Sequence, residues 1–97
     1  MTREDFNIKY DAFIERRSYD NKFGQPVVQK FEGLEFDVPE VTEFLDKVFI
    51  DLTRIPGFTY SQIKLKFGRA RFYSTAPSKL NYEIETDIDN LIKKLEA

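Results

Sequence analysis

The first apolar positions of the chain recur with the period of a helix. They are Phe6, Tyr10, Phe13 and Ile14. Thr2 with Asp5 three residues later resembles a capping box, so we predict a helix over residues 3–17. Because Phe6, Ile8 and Tyr10 also alternate, a strand is the alternative for this stretch. The next stretch, SYDNKFGQP (18–26), is rich in turn formers and predicts a loop.

Residues 27–38, VVQKFEGLEFDV, alternate between apolar and polar positions and predict a β-hairpin. Glu32 and Gly33 suit its two-residue turn. This register sets Lys30 opposite Glu35, a favourable cross-strand pair. The inner face would then collect Val27, Phe31, Leu34, Phe36 and Val38.

The centre of the chain carries the clearest stripe, in which apolar residues recur at spacings of three and one. Its members are Val41, Phe44, Leu45, Val48, Phe49, Leu52 and Ile55. Such a stripe predicts the core face of an amphipathic helix. Asp37, Pro39 and Glu40 are typical of a helix start, and Pro56 with Gly57 ends the helix.

Alternation in residues 58–67 and 70–75 predicts a second hairpin. A type II′ turn at Gly68 and Arg69 brings all its apolar members to one side. Those members are Ile63, Leu65, Phe67, Ala70 and Phe72, with Phe67 facing Ala70 and Leu65 facing Phe72. On the other face, Lys66 then lies opposite Arg71 and Lys64 opposite Tyr73, with Arg69 at the tip.

The last part of the chain predicts a loop, STAPSK, followed by a helix. Its apolar residues are Ile84, Ile88, Leu91, Ile92 and Leu95. Leu80, Tyr82 and Ile84 also alternate, so a short strand before a helix starting near Thr86 is the alternative. Together the elements predict one α+β domain over residues 1–97, in the order α-β-β-α-β-β-α. We expect a mostly antiparallel sheet with the helices on one face and the cations on the other.

Composition narrows the chemistry that is open to the chain. Cysteine and histidine are absent, which excludes disulfides, thiol nucleophiles, thiolate zinc sites and imidazole bases. No pair of carboxylates stands out as catalytic, so we expect a protein that is not an enzyme and uses no metal or cofactor. Because no run of eighteen apolar residues and no secretory signal is visible, we expect a cytoplasmic protein without membrane contact.

Charge is distributed unevenly along the chain. The net charge is −2, yet residues 52–82 contain six bases and no acid. Opposed cations destabilise a sheet by a few tenths to about one kcal/mol. An anion bound between Lys66 and Arg71 would remove this repulsion. We therefore predict a ligand-binding set of Lys64, Lys66, Arg69, Arg71, Tyr60 and Tyr73. The alternatives are a solvated face, a protected sheet edge, or neutralisation by Glu83, Glu85 or an acid of the N-terminal helix.

The segment SQIKLKFGRARFY resembles a motif in an uncharacterised family of small bacterial and phage proteins. The matching residues are Gln62, Ile63, Lys64, Lys66, Phe67, Gly68, Arg71, Phe72 and Tyr73. Leu65 stands where the family usually has Glu, and Ala70 where it usually has Leu. Many relatives continue into a Cys-x-x-Cys tail that this chain lacks, so no metal role is carried over. The resemblance implies the hairpin and a phage or bacterial setting, and no activity.

Three functions follow from the basic hairpin. The first is capture of a phosphate-bearing small ligand, such as a nucleotide or a nucleotide-derived immune signal sequestered by a phage. A pocket deep enough for such a ligand forms more easily between subunits, which implies a homodimer or larger oligomer. The second is a protein-interaction module, a phage inhibitor or adaptor, that meets an acidic surface. The third is weak binding of short single-stranded nucleic acid, disfavoured by the otherwise acidic chain.

Overall fold

Five strands form two separate sheets, and three α-helices complete the fold. The computed structural model describes all residues, 1–97. The helices are α1 (Arg3–Lys9), α2 (Pro39–Leu52) and α3 (Ser78–Glu96), and the strands are β1 (Arg16–Asp20), β2 (Pro26–Lys30), β3 (Gly33–Leu34), β4 (Tyr60–Lys66) and β5 (Arg69–Ser74). The predicted α+β class and the element order are confirmed, with the two-residue strand β3 as an addition. Antiparallel pairs β1–β2 and β4–β5 dominate, and β3 joins β4 in parallel.

The N-terminal helix is shorter than its pattern predicts. Its capping box is present, with the Asp5 amide donating to Thr2 Oγ1 at 3.1 Å. The helix ends at Lys9, and a single 3-10 turn follows at Asp11–Phe13. The predicted continuation to residue 17 is wrong because Ile14 forms a parallel bridge with Tyr60, which pulls the chain into extended structure. The alternative of a strand over Phe6 to Tyr10 is also wrong.

The predicted loop at 18–26 and hairpin at 27–38 are both corrected. Residues 16–30 form the hairpin instead, with β1 paired to β2 so that Arg16 faces Lys30. Beyond it, β3 leaves the hairpin and pairs with β4, Leu34 opposite Ile63. Lys30 therefore forms an ion pair with Asp11 rather than with Glu35. We call the β1–β2 hairpin the ribbon.

The central helix carries the core as its stripe predicts. Val41, Leu45, Phe49 and Leu52 are all buried. Phe49 lies at the middle of the aromatic packing, with its ring centroid 4.9 Å from that of Phe6 and 5.0 Å from that of Tyr60. In the core, these helical residues pack against the inner face of β4 and β5. The opposite face of these two strands lies outside the core.

The last helix begins at Ser78, directly after Pro77, and runs to Glu96. The final helix is therefore confirmed, and the alternative of a strand before Thr86 is wrong. Ile84 and Ile88 bury its apolar side against the core. None of the three helices combines the length and the apolar character needed to cross a bilayer.

Candidate anion-binding face

The β4–β5 hairpin turns at Phe67 and Gly68. Both residues have positive φ, 54° and 75°, which is the conformation of a type I′ turn. The predicted turn at Gly68 and Arg69 is therefore one residue too late. Lys66 pairs with Arg69, and Lys64 with Arg71.

This register places the four predicted cations on one face of the hairpin. Side chains alternate between the two faces of a strand, and cross-strand partners share a face. The surface opposite the core therefore comprises Gln62, Lys64, Lys66, Arg69, Arg71 and Tyr73. We call it the basic face. The predicted pairs Lys66–Arg71 and Lys64–Tyr73 are replaced by two Lys–Arg pairs, so like charges oppose each other twice.

Tyr60 does not belong to the basic face. Its side chain is fully buried, and burial raises the pKa of its hydroxyl above the usual range. The strand pairing is irregular between Tyr60 and Gln62. A bulge there reverses the alternation, so Tyr60 faces the core together with Ile63. Its predicted role as a ligand contact is excluded by this burial.

Phe67 also differs from its prediction. Expected in the core opposite Ala70, it sits at the hairpin tip with 95% of its side chain exposed. The Nζ atom of Lys66 lies 6.0 Å from its ring centroid, and that of Lys64 lies 5.7 Å from the ring of Tyr73. A lysine therefore lies next to an aromatic ring both on the basic face and at the hairpin tip.

The cations of the basic face form no ion pair with a carboxylate of the chain. Glu85 and Asp89 of α3, which could have neutralised them, instead accept hydrogen bonds from the backbone amides of Phe72 and Ala70, at 2.8 and 2.7 Å. Two α3 carboxylates are thereby used to cap the open edge of β5.

Glu35 is a carboxylic acid whose pKa is affected by Lys64 of the basic face. Burial raises the pKa of its carboxyl, and the neighbouring Glu32 carboxyl raises it further, while Lys64 acts in the opposite direction. Glu35 and Lys64 do not come close enough to form an ion pair.

The basic face is open rather than concave. Arg69 and Arg71 line one side of a groove of about 430 Å³ between β5 and α3, but Lys64 and Lys66 line no groove. The far wall of that groove includes Glu85 and Asp89. A second groove of about 460 Å³ lies elsewhere, between α1 and residues 32–35. The four cations therefore share a surface and not a pocket.

No family model, curated protein or solved structure matches this chain. The resemblance of its hairpin to a bacterial and phage family stays a prediction.

Proposed function

We propose that the protein is a non-enzymatic binding module that recognises an acidic surface of a partner protein. The contact surface is the basic face together with Phe67 at its tip. The observation that carries the proposal is the state of Phe67, which combines a positive φ with nearly complete exposure.

The position of Phe67 is unfavourable in the isolated chain. A left-handed backbone costs a residue other than glycine roughly 1–2 kcal/mol. A 95% exposed ring recovers almost none of this through burial. Strained residues that packing does not explain are typical of functional sites. An exposed aromatic ring at a turn flanked by Arg69 also has the composition of an interface anchor.

The opposed cations support the same proposal. Lys64 against Arg71 and Lys66 against Arg69 repel each other, and each such pair costs a few tenths to about one kcal/mol. Carboxylates of a partner would remove that repulsion on binding. They would also steer the encounter, because the four cations stand together without internal partners.

The openness of the face favours a protein over a small ligand. Small-molecule sites are usually concave, with volumes of roughly 300–1,000 Å³. Neither Lys64 nor Lys66 borders a groove of the chain. An open surface with an exposed aromatic tip is instead typical of protein–protein contacts.

Affinity capture with matched charge variants tests the proposal. The bait is the whole chain, and the variant Lys66→Glu with Arg71→Glu reverses half of the basic face. Lys47→Glu with Lys79→Glu is the control, because both lysines are exposed on helices and the net charge changes equally. We expect one stoichiometric protein to be retained by the wild type and the control and lost from the first variant. Equal retention by both variants would overturn the proposal.

A phosphate-bearing small ligand is the second candidate, favoured by the two adjacent Lys–Arg pairs. Guanidinium groups bind phosphate through two parallel hydrogen bonds, and Tyr73, 43% exposed, offers a ring for stacking. Titration calorimetry against linear and cyclic nucleotides tests this candidate. Saturable heats that vanish in Lys64→Glu with Arg69→Glu would support it, and flat heats at low salt would remove it.

A further inference from the structure

The ribbon stands apart from the rest of the fold. All five residues of β1 are exposed, and four of the five residues of β2 are exposed as well. The two strands pair only with each other. An isolated two-stranded hairpin is only marginally stable in water, so a ribbon of this kind gains from an additional strand.

The other sheet has capped edges, whereas the ribbon does not. Asn7 of α1 receives a hydrogen bond from the Leu34 amide at 2.9 Å and donates one to the Leu34 carbonyl at 3.0 Å. Asp89 and Glu85 cap the amides of β5 on the opposite edge. No side chain bonds the outer backbone of β1 in this way. The contrast identifies β1 as an edge that is left open.

Two hydrogen bonds at the ends of the ribbon determine which backbone groups point outward. The Asn21 amide donates to the Gln25 carbonyl, and the Phe31 amide donates to the Glu15 carbonyl. Because bonded and non-bonded pairs alternate in an antiparallel ladder, the outward groups of β1 belong to Arg16, Ser18 and Asp20. On β2 they belong to Pro26, Val28 and Lys30.

The residues of β1, RRSYD, are their own antiparallel complement. When two copies pair about Ser18, Arg16 of each copy lies opposite Asp20 of the other, and Arg17 lies opposite Tyr19. Asp20 forms no ion pair within its own chain. Arg16 donates from Nη2 to the Asp11 carboxylate at 3.0 Å and from Nη1 to the Asp11 and Ile14 carbonyls. Its Nε–H and the second Nη2–H remain for a carboxylate of the other copy. This register makes two ion pairs. It also sets Arg17, whose guanidinium lies 5.4 Å from the Phe31 ring centroid of its own chain, opposite the Tyr19 ring of the other copy.

Pairing two copies of β2 in the same antiparallel way does not bring complementary side chains together. Pairing about Val28 would set Pro26 opposite Lys30 and Val27 opposite Gln29, without an ion pair. Pro26 also lacks the amide that its outward position would need. The open edge that suits self-association is therefore β1.

We propose that the protein forms a twofold-symmetric homodimer through β1. The two ribbons join into one four-stranded antiparallel sheet, in the order β2, β1, β1 of the second copy and β2 of the second copy. Ser18 lies at the twofold axis, which makes the contact isologous. The interface is small, so the dimer dissociates on dilution. β1 shares no residue with the basic face, so the dimer does not depend on the proposed function.

Sedimentation equilibrium of two proline variants tests the dimer. Ser18→Pro removes the outward amide at the axis, and Val28→Pro removes the matching amide of the other edge, while neither breaks a bond within the ribbon. From about 10 µM to about 1 mM we expect dimerisation of the wild type and of Val28→Pro, and at least tenfold weaker association of Ser18→Pro. A monomeric wild type throughout, or equal weakening by both variants, would overturn the proposal.

A cysteine placed at the axis tests the register independently. The chain contains no cysteine. In the proposed sheet the two Ser18 Cα atoms form a bonded pair about 5.5 Å apart, within the range that a disulfide spans. The two Val28 Cα atoms are separated by three strand spacings, about 15 Å. We expect mild oxidation to link Ser18→Cys into covalent dimers and to leave Val28→Cys unlinked. Equal linking of the two variants, or none of Ser18→Cys, would overturn the register.

Discussion

Lys64 lies directly opposite Arg71 in the β4–β5 hairpin, and neither side chain forms an ion pair with a carboxylate. The next pair toward the turn, Lys66 and Arg69, repeats the arrangement. Opposite charges at such positions stabilise a sheet, and like charges destabilise it. The hairpin therefore carries two opposed pairs of cations, without internal carboxylate partners, at the expense of its own stability.

Reversing one charge at the tip should stabilise the fold. Lys66→Glu replaces repulsion across from Arg69 with attraction, and Arg69→Glu does the same from the other strand. We expect each single variant to raise the free energy of unfolding by a few tenths to about one kcal/mol, and the double variant to lose that gain. Urea denaturation of the four proteins gives the coupling energy. Additive effects would show that the pair does not interact.

Asparagine at the tip should also be better tolerated than Phe67. Asn adopts positive φ readily and is favoured at the first position of a type I′ turn. Because Phe67 is 95% exposed, we expect Phe67→Asn to raise the free energy of unfolding by about 0.5–1 kcal/mol. Phe23, 75% exposed and without a positive φ, is the matched control, and Phe23→Asn should bring no gain. A destabilised Phe67→Asn would mean that the ring packs within the chain.

Two glycines with the same backbone angle should differ in their tolerance of a methyl group. Gly33 has φ +72° and Gly24 has φ +73°, but a Cβ at Gly33 would lie 2.6 Å from Asn7 Oδ1, while Gly24 has no atom within 4 Å. We expect Gly24→Ala to cost about 1 kcal/mol through strain alone. Gly33→Ala should cost about 1–3 kcal/mol more, because Asn7 would lose its bonds to Leu34. Equal losses in urea denaturation would contradict this account of Asn7.

The Asp46 carboxylate should give the stability a pH dependence. The Lys9 ammonium, at 2.8 Å, and then the Tyr10 hydroxyl lower the pKa of Asp46. A lowered folded-state pKa contributes stability above the ordinary Asp pKa, and this contribution is lost as pH falls through the lowered value. We expect Asp46→Asn to cost about 1–2 kcal/mol near pH 7 and clearly less near pH 3.

Asp51→Asn is the control for that measurement. Its carboxylate is 85% exposed and lies 3.8 Å from the nearest Arg54 nitrogen, so its removal should change little at either pH. A loss from Asp46→Asn that is the same at both pH values would contradict the charge-based explanation.

The pattern of apolar and polar residues predicts those helices and strands that bury one face in the core and expose the other. The seven-residue stripe of α2 and the apolar side of α3 are of this kind, and both helices are present. The strand β1 is exposed on both faces, so its residues RRSYD carry no apolar alternation to detect. The pairing of Leu34 with Ile63 joins distant parts of the chain, whereas the alternation around Gly33 indicates a local hairpin.

The candidate site could be predicted in composition but not in register. Lys64, Lys66 and Arg71 face outward whichever residues form the turn, because strand alternation sets their side. Glycine suits the first position of a type II′ turn as well as the second of a type I′ turn, so the sequence does not decide where Gly68 sits. That one-residue difference moves Phe67 from the core to the tip. The bulge that turns Tyr60 inward likewise leaves no local signal.

Site-specific photocrosslinking from the hairpin tip tests the central claim most directly. Benzoylphenylalanine replaces Phe67 in one form of the protein and Phe23, an exposed ring on the ribbon, in the other. After irradiation in cells of the source organism, we expect an adduct with one acidic protein from position 67 and none from position 23. The adduct should disappear when Lys64 and Arg69 are changed to Glu in the same chain. Equal adducts from both positions, or no protein adduct from position 67, would contradict the assignment of the basic face to an acidic partner.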